Sequence, residues 1–377
     1  MAKTALHSTA EVRRANRNRV FRCLYNATGP VTKQDLAYEL SMSLPTLTQN
    51  LNELLEAGLI DNSETADSNG GRKPRILSVV PTARYAVGVE LSSNHIRLVA
   101  LDLQVHEVGF WIVRRPFRAE EDYAVQLAET IERFLDETGV PREKLLGVGI
   151  SLPGIVDGER KTLTAAYTLG IRQLDMAETI SRIPYPVRLV NDANAGGFAE
   201  SWGRTGVEHM AYLSINRGVG GAILVSGVAY LGNSGRSGEF GHMCIHPGGA
   251  QCSCGRRGCL EAYCSTARLS DDLGISLEEF FSWMAGGEEE YLRLWDAYLD
   301  DLAVGICNIH TALDCGIVVG GKLSRFLTDH FRGIDRRLRE MDEAYQQAPY
   351  LSVCRYHDRS NGIGAGLYFI DQFIRQI

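Results

Sequence analysis

Residues 238–264 read GEFGHMCIHPGGAQCSCGRRGCLEAYC, and this stretch carries the most specific chemical signal in the chain. Three thiolates and one imidazole are the ligand set of a closed, tetrahedral structural zinc site, which keeps no position for a reactive water. Glycines at positions 248, 249, 255 and 258 allow the tight turns that such convergence requires. The spacing therefore predicts a structural Zn²⁺ site on an irregular loop, with the ligands His242, Cys252, Cys254 and Cys259.

Two alternatives remain open for this loop. Cys244 or His246 could replace His242 as the fourth ligand. The thiols could instead form two disulfides, but disulfides are rare in the cytosol, and the first twenty residues lack the apolar core of a signal peptide. A cytoplasmic location is therefore expected. The other six cysteines are expected to pack as small apolar side chains: Cys23, Cys244, Cys264, Cys307, Cys315 and Cys354.

The length and charge of the chain limit the classes of protein to which it can belong. The 377 residues suffice for two or three domains, and no apolar run reaches the eighteen residues that a membrane span requires. The net charge is −7, yet residues 1–80 hold ten basic and eight acidic side chains, so the remainder carries −9. This distribution predicts that only the N-terminal region meets a polyanion.

The N-terminal region has the pattern of a helix-turn-helix. Residues 11–26 are compatible with an amphipathic helix, and Gly29-Pro30 ends it. Thr32 can cap a second helix. A third helix runs from about Leu44 to Gly58, with leucines facing inward. Its exposed N-terminal end predicts contacts to base edges and phosphates from Pro45, Thr46, Thr48, Gln49 and Asn50.

A basic hairpin follows this third helix. The runs LIDNSE (59–64) and RILSVV (75–80) read as two strands, and Gly70-Gly71 between them is a turn signal. Arg72 and Lys73 follow that turn, with Arg75 close behind. A basic tip beside a helix-turn-helix predicts a wing that contacts DNA. The alternative is a three-helix protein-interaction domain with solvated charges.

These motifs together resemble the ROK family of repressors, open reading frames and kinases. Residues 16–75 resemble the winged helix of its repressors, and residues 252–261 resemble its signature Cys-x-Cys-Gly-x-x-Gly-Cys-x-Glu. The resemblance covers nearly the whole chain. It implies a winged helix-turn-helix over 1–80, followed by a two-lobed, actin-like, sugar kinase-like α/β domain over 81–377. Lobe one is expected over about 81–195 plus the C-terminal helix, and lobe two over about 196–362.

Strand and helix signals in the body agree with an α/β fold. Strands are predicted over Ala86–Leu91, Ile96–Leu101, Leu146–Ser151, Val187–Val190, Met210–Ile215, Gly221–Val225 and Gly316–Val319, and helices over Tyr123–Thr138 and Leu302–Leu313.

The resemblance also implies a carbohydrate site. Asp192 matches the family's catalytic base in its Asn-Asp-x-Asn motif, a role that requires a carboxylate to accept the hydroxyl proton. By itself, Asp192 could equally cap a helix after a strand. Here it is expected to bind sugar without catalysis. The family's other sugar contacts correspond to Asn191, Glu239, His242 and Glu261, whereas Thr168 replaces its asparagine.

The expected nucleotide site departs from the kinase pattern. Kinases of the family carry Asp-x-Gly-Gly-Thr after the first strand, where this chain has Glu90, Leu91, Ser92, Ser93 and Asn94. Their second phosphate loop, Gly-Thr-Gly, is here Asn216-Arg217-Gly218, although Gly220, Gly320 and Gly321 remain. Binding of ATP and Mg²⁺ is therefore not expected. Arg217 could still hold the phosphate of a sugar phosphate.

Three functions remain to be compared. The favoured hypothesis is a sugar-responsive transcriptional repressor of carbohydrate uptake or catabolism genes, acting as a homodimer or tetramer on operator DNA and independent of membranes. A second is an active ATP-dependent sugar kinase that also binds DNA. A third is a scaffold controlled by protein partners.

Overall fold

The computed structural model describes residues 9–65, 74–204 and 208–377. Its N-terminal region contains three helices and a small three-stranded sheet in the order β1-β3-β2. These elements are α1 (Thr9–Tyr25), β1 (Val31–Thr32), α2 (Lys33–Glu39), α3 (Leu44–Glu56), β2 (Ile60–Asp61) and β3 (Ile76–Val79).

Local side-chain chemistry explains where these helices begin. Thr32 and Asp35 form a reciprocal capping box at the start of α2, and the Asp35 carboxylate accepts from Thr32 N at 2.8 Å. Ser43 caps α3, whose first turn contains Pro45. Gly58 has φ +64, a left-handed conformation that favours glycine, so the chain can leave α3 there. All three predicted helices are confirmed, whereas the two-residue β1 was too short to predict.

The predicted hairpin is present at its base. Strands β2 and β3 pair antiparallel, and a Thr65–Arg75 bridge continues the pairing. Arg72 and Lys73, the expected wing contacts, lie outside the described residues.

The first half of the body is built on a five-stranded sheet in the order β11-β7-β4-β5-β6, beside a small sheet β10-β9-β8. Its elements are β4 (Tyr85–Leu91), β5 (His95–Asp102), β6 (Glu107–Arg114), α4 (Glu121–Thr138), β7 (Leu145–Leu152), β8 (Ile155–Asp157), β9 (Thr162–Ala166), β10 (Ile171–Asp175), α5 (Ala177–Ile180), β11 (Val187–Asn191) and α6 (Asp192–Ser201).

The second half contains another five-stranded sheet, in the order β14-β13-β12-β15-β16. Its elements are β12 (His209–Ile215), β13 (Val219–Val225), β14 (Val228–Ala229), α7 (Glu261–Cys264), α8 (Leu277–Ala285), α9 (Glu289–Leu313), β15 (Gly316–Gly320), α10 (Leu323–Asp329), α11 (Phe331–Met341), α12 (Glu343–Gln347), β16 (Leu351–Val353) and α13 (Ser360–Gln376).

The predicted body strands are confirmed to within two residues at each end, and α4 begins two residues before the predicted helix. The helix expected over Leu302–Leu313 is wrong at its start, because α9 extends back to Glu289. Its first turns contain charged and aromatic residues that obscured the apolar period. No helix among the described residues is long and apolar enough to cross a membrane.

Helices α6 and α13 lie against each other, and each also packs on a different sheet. Helix α13 covers β4 and β7, whereas α6 contacts β12 and β13. The packing is close enough to require glycine: a Cβ on Gly88 would lie 1.8 Å from Gly362 O, and one on Gly364 would lie 1.7 Å from Ala195 O. This helix pair therefore joins the two halves of the body with no space between them.

One apolar core joins the N-terminal region to the body. Val20, Phe21 and Leu24 of α1 belong to the same buried cluster as Phe198 of α6 and Ile370 of α13. Burial of apolar surface contributes about 25 cal/mol per Å², so this contact holds the first helix firmly on the body.

Candidate functional site: a thiol-rich loop beside a carboxylate cleft

The four predicted metal ligands converge. One candidate ligand atom from each of His242, Cys252, Cys254 and Cys259 lies within 4.8 Å of the others. Cys254 Sγ is 3.8 Å from Cys259 Sγ, and Cys252 Sγ is 3.7 Å from His242 Nδ1. Two isolated β-bridges, Cys244–Cys259 and Gln251–Arg257, shape the loop. The cluster could therefore bind a metal ion.

These separations fit tetrahedral zinc. Sulfur atoms placed about 2.3 Å from a tetrahedral Zn²⁺ lie ~3.8 Å apart, which matches the spacing of Cys254 Sγ and Cys259 Sγ. The alternative fourth ligands are engaged elsewhere: His246 Nε2 lies 2.6 Å from Asp301 Oδ1, and Cys244 Sγ points towards Arg257 O. The geometry thus favours His242 over both alternatives.

The charge state of the thiols also suits a cation. Although partial burial acts in the opposite direction, hydrogen bonds from Arg256 and the neighbouring thiols lower the pKa of Cys254 to about 6. Burial and the neighbouring thiols raise the pKa of Cys259 to about 12. A cation among the thiols would favour their ionised forms, because its positive charge offsets the burial and the neighbouring thiols that raise the pKa of Cys259.

Asp192 lies at the first position of α6, where β11 ends. Its Oδ1 accepts from Ala193 N at 2.8 Å and from Asn191 Nδ2 at 3.2 Å. Burial raises the pKa of Asp192 to about 7, and the negative charges of Glu90 and Glu239 add to the increase. A carboxyl group with this pKa can accept or donate a proton near neutral pH.

The predicted carbohydrate contacts form a continuous series with the metal loop. His242 Nε2 lies 3.9 Å from Glu239 Oε2, while Nδ1 of the same ring faces Cys252. One ring nitrogen thus faces the thiols and the other faces the carboxylate side. Glu239 remains 44% exposed. A ligand hydroxyl placed between Asp192 and Glu239 would therefore also lie near His242.

Asn191 and Glu261 already have protein partners. Asn191 caps α6 by accepting from Asn194 N at 2.9 Å, and its amide donates to Gly154 O at 2.8 Å. Glu261 accepts from Val219 N at 3.0 Å and from Ser253 Oγ at 2.6 Å. These two residues hold the cleft's shape, and Glu261 ties the metal loop to the strand β13.

The first phosphate loop of the kinase pattern is closed by its own side chains. Glu90 accepts from Arg97 at 3.0 Å, and both side chains are largely buried. Ser92 Oγ donates to His95 O at 3.0 Å and accepts from His95 N at 3.1 Å. The hydroxyl that replaces glycine therefore fixes a tight hairpin and adds bulk where glycine would leave room for a phosphate.

The second phosphate loop is tied down by Asn216. Asn216 Oδ1 accepts from Lys322 N at 2.9 Å, and Asn216 Nδ2 donates to Ser214 Oγ at 3.1 Å. This side chain joins the loop to the segment that follows Gly320-Gly321. Arg217, considered above as a phosphate contact, instead pairs with Asp271 at 2.8 Å and is 70% exposed.

The proposed DNA-contacting end of α3 needs one correction. Pro45 and Gln49 are exposed, and Thr46 and Thr48 are partly exposed. Asn50 is only 2% exposed, and its amide donates to Thr46 O at 2.8 Å. The expectation that Asn50 is presented to DNA is wrong, because its position on the helix turns it inward with the leucines.

Two arginines of the basic N-terminal stretch pair with an acidic residue of α3. Arg13 and Arg17 of α1 both pair with Glu53 of α3, Arg17 at 2.9 Å. These ion pairs hold α3 against α1. Sequence reasoning missed this pairing, because no local pattern reports partners that lie 36 and 40 residues apart in the chain.

Two family models match most of the chain. The sequence model of the ROK family matches residues 86–371. The chain belongs to the ROK family. A helix-turn-helix domain model matches residues 15–62. The match of the ROK family model covers both five-stranded sheets of the body, and the helix-turn-helix match covers α2 and α3.

Curated relatives of this ROK protein include three regulators. It is 28% identical over 347 residues to a putative xylose repressor of Caldicellulosiruptor, covering 82% of this chain and 83% of that protein. It is 29% identical to the xylose repressor of Bacillus subtilis, over 65% of this chain and 64% of that protein. The Escherichia coli regulator NagC is 26% identical, over 68% of this chain and 64% of that protein.

Solved structures share the fold. A ROK family transcriptional regulator, a homologue of E. coli MLC, has a TM-score of 0.78 at 22% identity and covers 97% of both chains. A ROK hexokinase from Thermus thermophilus has a TM-score of 0.63 at 26% identity and covers 77% of this chain and 99% of the enzyme.

Proposed function

We propose that this ROK protein is a sugar-responsive, DNA-binding transcriptional repressor of carbohydrate uptake or catabolism genes. The observation that carries the proposal is the joining, by one apolar core, of a helix-turn-helix to the ROK body. In that body the charge of Glu239 acts on Asp192, and Glu239 Oε2 lies 3.9 Å from His242 Nε2. Two curated relatives named as xylose repressors support the same reading.

The metal loop holds a structural Zn²⁺ in this proposal. Its ligands are His242 through Nδ1 and the thiolates of Cys252, Cys254 and Cys259, which leaves no open position for water. Such an ion would order the loop, and the His242 ring, held through Nδ1, would present its Nε2 to a sugar hydroxyl.

The nucleotide site is degenerate in this proposal. The Glu90–Arg97 pair, the Ser92 hairpin and the Asn216–Lys322 link occupy the places where phosphate oxygens would approach backbone N–H groups. Asp192 then binds a sugar hydroxyl without transferring a phosphoryl group, and the ligand acts as an effector.

DNA recognition requires a pair of helix-turn-helix units. Two recognition helices meet half-sites about one helical turn apart, so the active species is a homodimer or a pair of dimers. The exposed residues Pro45 and Gln49, with Thr46 and Thr48 beside them, contact the DNA, and Arg72 and Lys73 of the wing add phosphate or minor-groove contacts.

A combined binding experiment tests this function. Thermal-shift screening uses D-xylose, D-glucose, N-acetyl-D-glucosamine and their phosphates, because a ligand that binds only the folded state raises its melting temperature. Fluorescence anisotropy then measures affinity for DNA upstream of the protein's own gene, with and without each hit. We expect at least one sugar to bind and to change DNA affinity. No DNA binding at low salt in either state contradicts the proposal.

An active sugar kinase is the second candidate, favoured by Asp192 at the helix start with a pKa of about 7 and by the likeness to a ROK hexokinase. Coupled ADP release with the same sugars separates the two functions. We expect no sugar-dependent turnover. Robust turnover that disappears in Asp192→Asn would establish the kinase instead.

A further inference from the structure

The buried helix α6 runs from the candidate sugar cleft to the DNA-binding region. Its first residue is Asp192, and its C-terminal cap is Trp202. Seven of its ten residues are buried: Ala193, Ala195, Gly196, Gly197, Phe198, Ala199 and Glu200. At about 1.5 Å per residue the helix spans roughly 15 Å. A change at the cleft end of such a packed helix is transmitted as a movement of the whole element.

The far end of α6 is anchored to the start of α13. The carboxylate of Glu200 is fully buried and accepts from Arg355 N at 3.0 Å and from Tyr356 N at 3.1 Å. Ser360 Oγ, at the first residue of α13, donates to it at 3.3 Å. Beside this turn, the edge strand β6 and α10 border a cavity of about 530 Å³. The turn that anchors α6 to α13 therefore lies beside open space on one side, while α6 and α13 themselves stay in close contact.

Trp202 meets the first helix of the DNA-binding region. Its ring lies 6.2 Å from that of Tyr25, edge to face, and 5.9 Å from that of Phe198. Tyr25 is fixed on its other side, because its hydroxyl donates to Leu103 O at 2.9 Å. The last residue of α1 is thus held between α6 and the body's first sheet.

Helix α1 in turn holds the recognition helix. Glu53 of α3 pairs with both Arg13 and Arg17, and Leu47, Leu51 and Leu54 of α3 share a buried cluster with α1. A tilt of α1 therefore carries α3 with it. Contacts between described residues run without a break from Asp192 to the surface that holds Gln49.

We propose that α6 transmits occupancy of the cleft to the recognition helix, and that the Trp202–Tyr25 contact is the joint through which it acts. This inference rests on the proposed sugar-responsive function. Both residues are positioning residues: neither touches the sugar or the DNA. Loss of the joint should leave each binding event intact and remove the coupling between them.

The test compares Trp202→Ala with wild type in the full-length protein. Wild-type affinity for the upstream DNA should differ by about tenfold or more between sugar-free and sugar-saturated protein, in the usual range of allosteric coupling. The probe sugars are D-xylose, D-glucose and N-acetyl-D-glucosamine, each measured also by calorimetry without DNA. In Trp202→Ala the DNA affinity ratio should fall to within about twofold, with sugar affinity unchanged. Trp283→Ala, which removes a 39% exposed indole from α8, should keep the wild-type ratio.

Trp202→Ala could lose the coupling simply because it misfolds. A second variant and a second measurement keep the proposal testable in that case. Tyr25→Phe keeps the ring and removes the hydroxyl, which donates to Leu103 O and also interacts with the Trp202 side chain, and it should reduce the ratio partially. In wild type, sugar should change hydrogen exchange of amides in residues 198–204 and 20–26. A wild-type ratio retained in both joint variants, or unchanged exchange in both segments, overturns the transmission route while the proposed function stands. If none of the sugars changes the DNA affinity of the wild-type protein, both the transmission route and the proposed function are overturned.

Discussion

At the scale of single residues, Asp192 shows how position changes the chemistry of a side chain. It follows a buried strand and begins a buried helix, and Glu90 and Glu239 face it. Its motif identified it from the sequence. Its raised pKa was not predictable, because the pKa depends first on burial in the fold and then on the charges of Glu90 and Glu239, which are distant in the chain.

The raised pKa of Asp192 predicts a pH-dependent stability cost. The folded-state pKa of about 7 exceeds the ordinary carboxyl value of 3.8, so the protonated carboxyl stabilises the fold at low pH, and that stability is lost as pH rises from about 4 to 7. Asp192→Asn should therefore stabilise the protein at pH 8 by roughly 2–4 kcal/mol and much less at pH 4. Denaturant unfolding of both proteins across this range measures it. An equal difference at all pH values would contradict the burial argument.

Cysteine substitutions test the metal site residue by residue. Cys252→Ser should abolish the bound zinc, one ion per chain in wild type, and lower the free energy of unfolding by several kcal/mol, because zinc binding contributes to folding. Cys244→Ser is the matched control: Cys244 lies in the same loop but outside the four-ligand cluster. Elemental analysis and thermal melting measure both. Loss of zinc from Cys244→Ser would show that Cys244 is a ligand instead.

At the scale of elements, the sequence predicted features that depend on neighbouring residues and missed features that depend on the tertiary fold. The capping box at Thr32 and the turn at Gly58 are local, so the helices around them were predicted. The start of α9 was missed because its first turns mix charged and aromatic residues. The inward turn of Asn50 was missed because a polar residue in a leucine-lined helix gives no warning of burial.

The adjacent residues Gln49 and Asn50 offer a matched pair on α3. Gln49 is exposed and Asn50 is buried. Gln49→Ala should weaken discrimination of specific from random DNA by about 1–3 kcal/mol without changing the melting temperature. Asn50→Ala should alter the melting temperature and leave discrimination within about twofold. Competition anisotropy and thermal melting separate the two. A reversed pattern would mean that α3 presents a different face to DNA.

At the scale of the whole molecule, the DNA-binding region and the body share one apolar core. Domains within one chain commonly touch through modest polar interfaces. Here Val20, Phe21 and Leu24 share one core with Ile370 and Ile374 of α13. The resemblance indicated two domains, but nothing local in the sequence indicated that they share a core.

Deletion of residues 1–80 should therefore damage the body. The truncated chain would expose Leu101, Leu103, Ile370 and Ile374 to water, and exposed apolar patches of this kind promote aggregation. We expect a lower melting temperature, increased binding of a hydrophobic dye and a tendency to aggregate, measured against the full chain. A truncated body that melts like the full chain would show that the shared core contributes little.

The shared core also bears on how regulators of this architecture diversify. Exchange of residues 9–65 for the corresponding segment of a paralogue would place foreign side chains against α13, at the opposite terminus of the polypeptide. A recombination event that transplants operator specificity alone would thus yield a mispacked hybrid. New specificities would arise more readily by substitution on the exposed surface of α3, where Gln49 can vary without disturbing the shared apolar core.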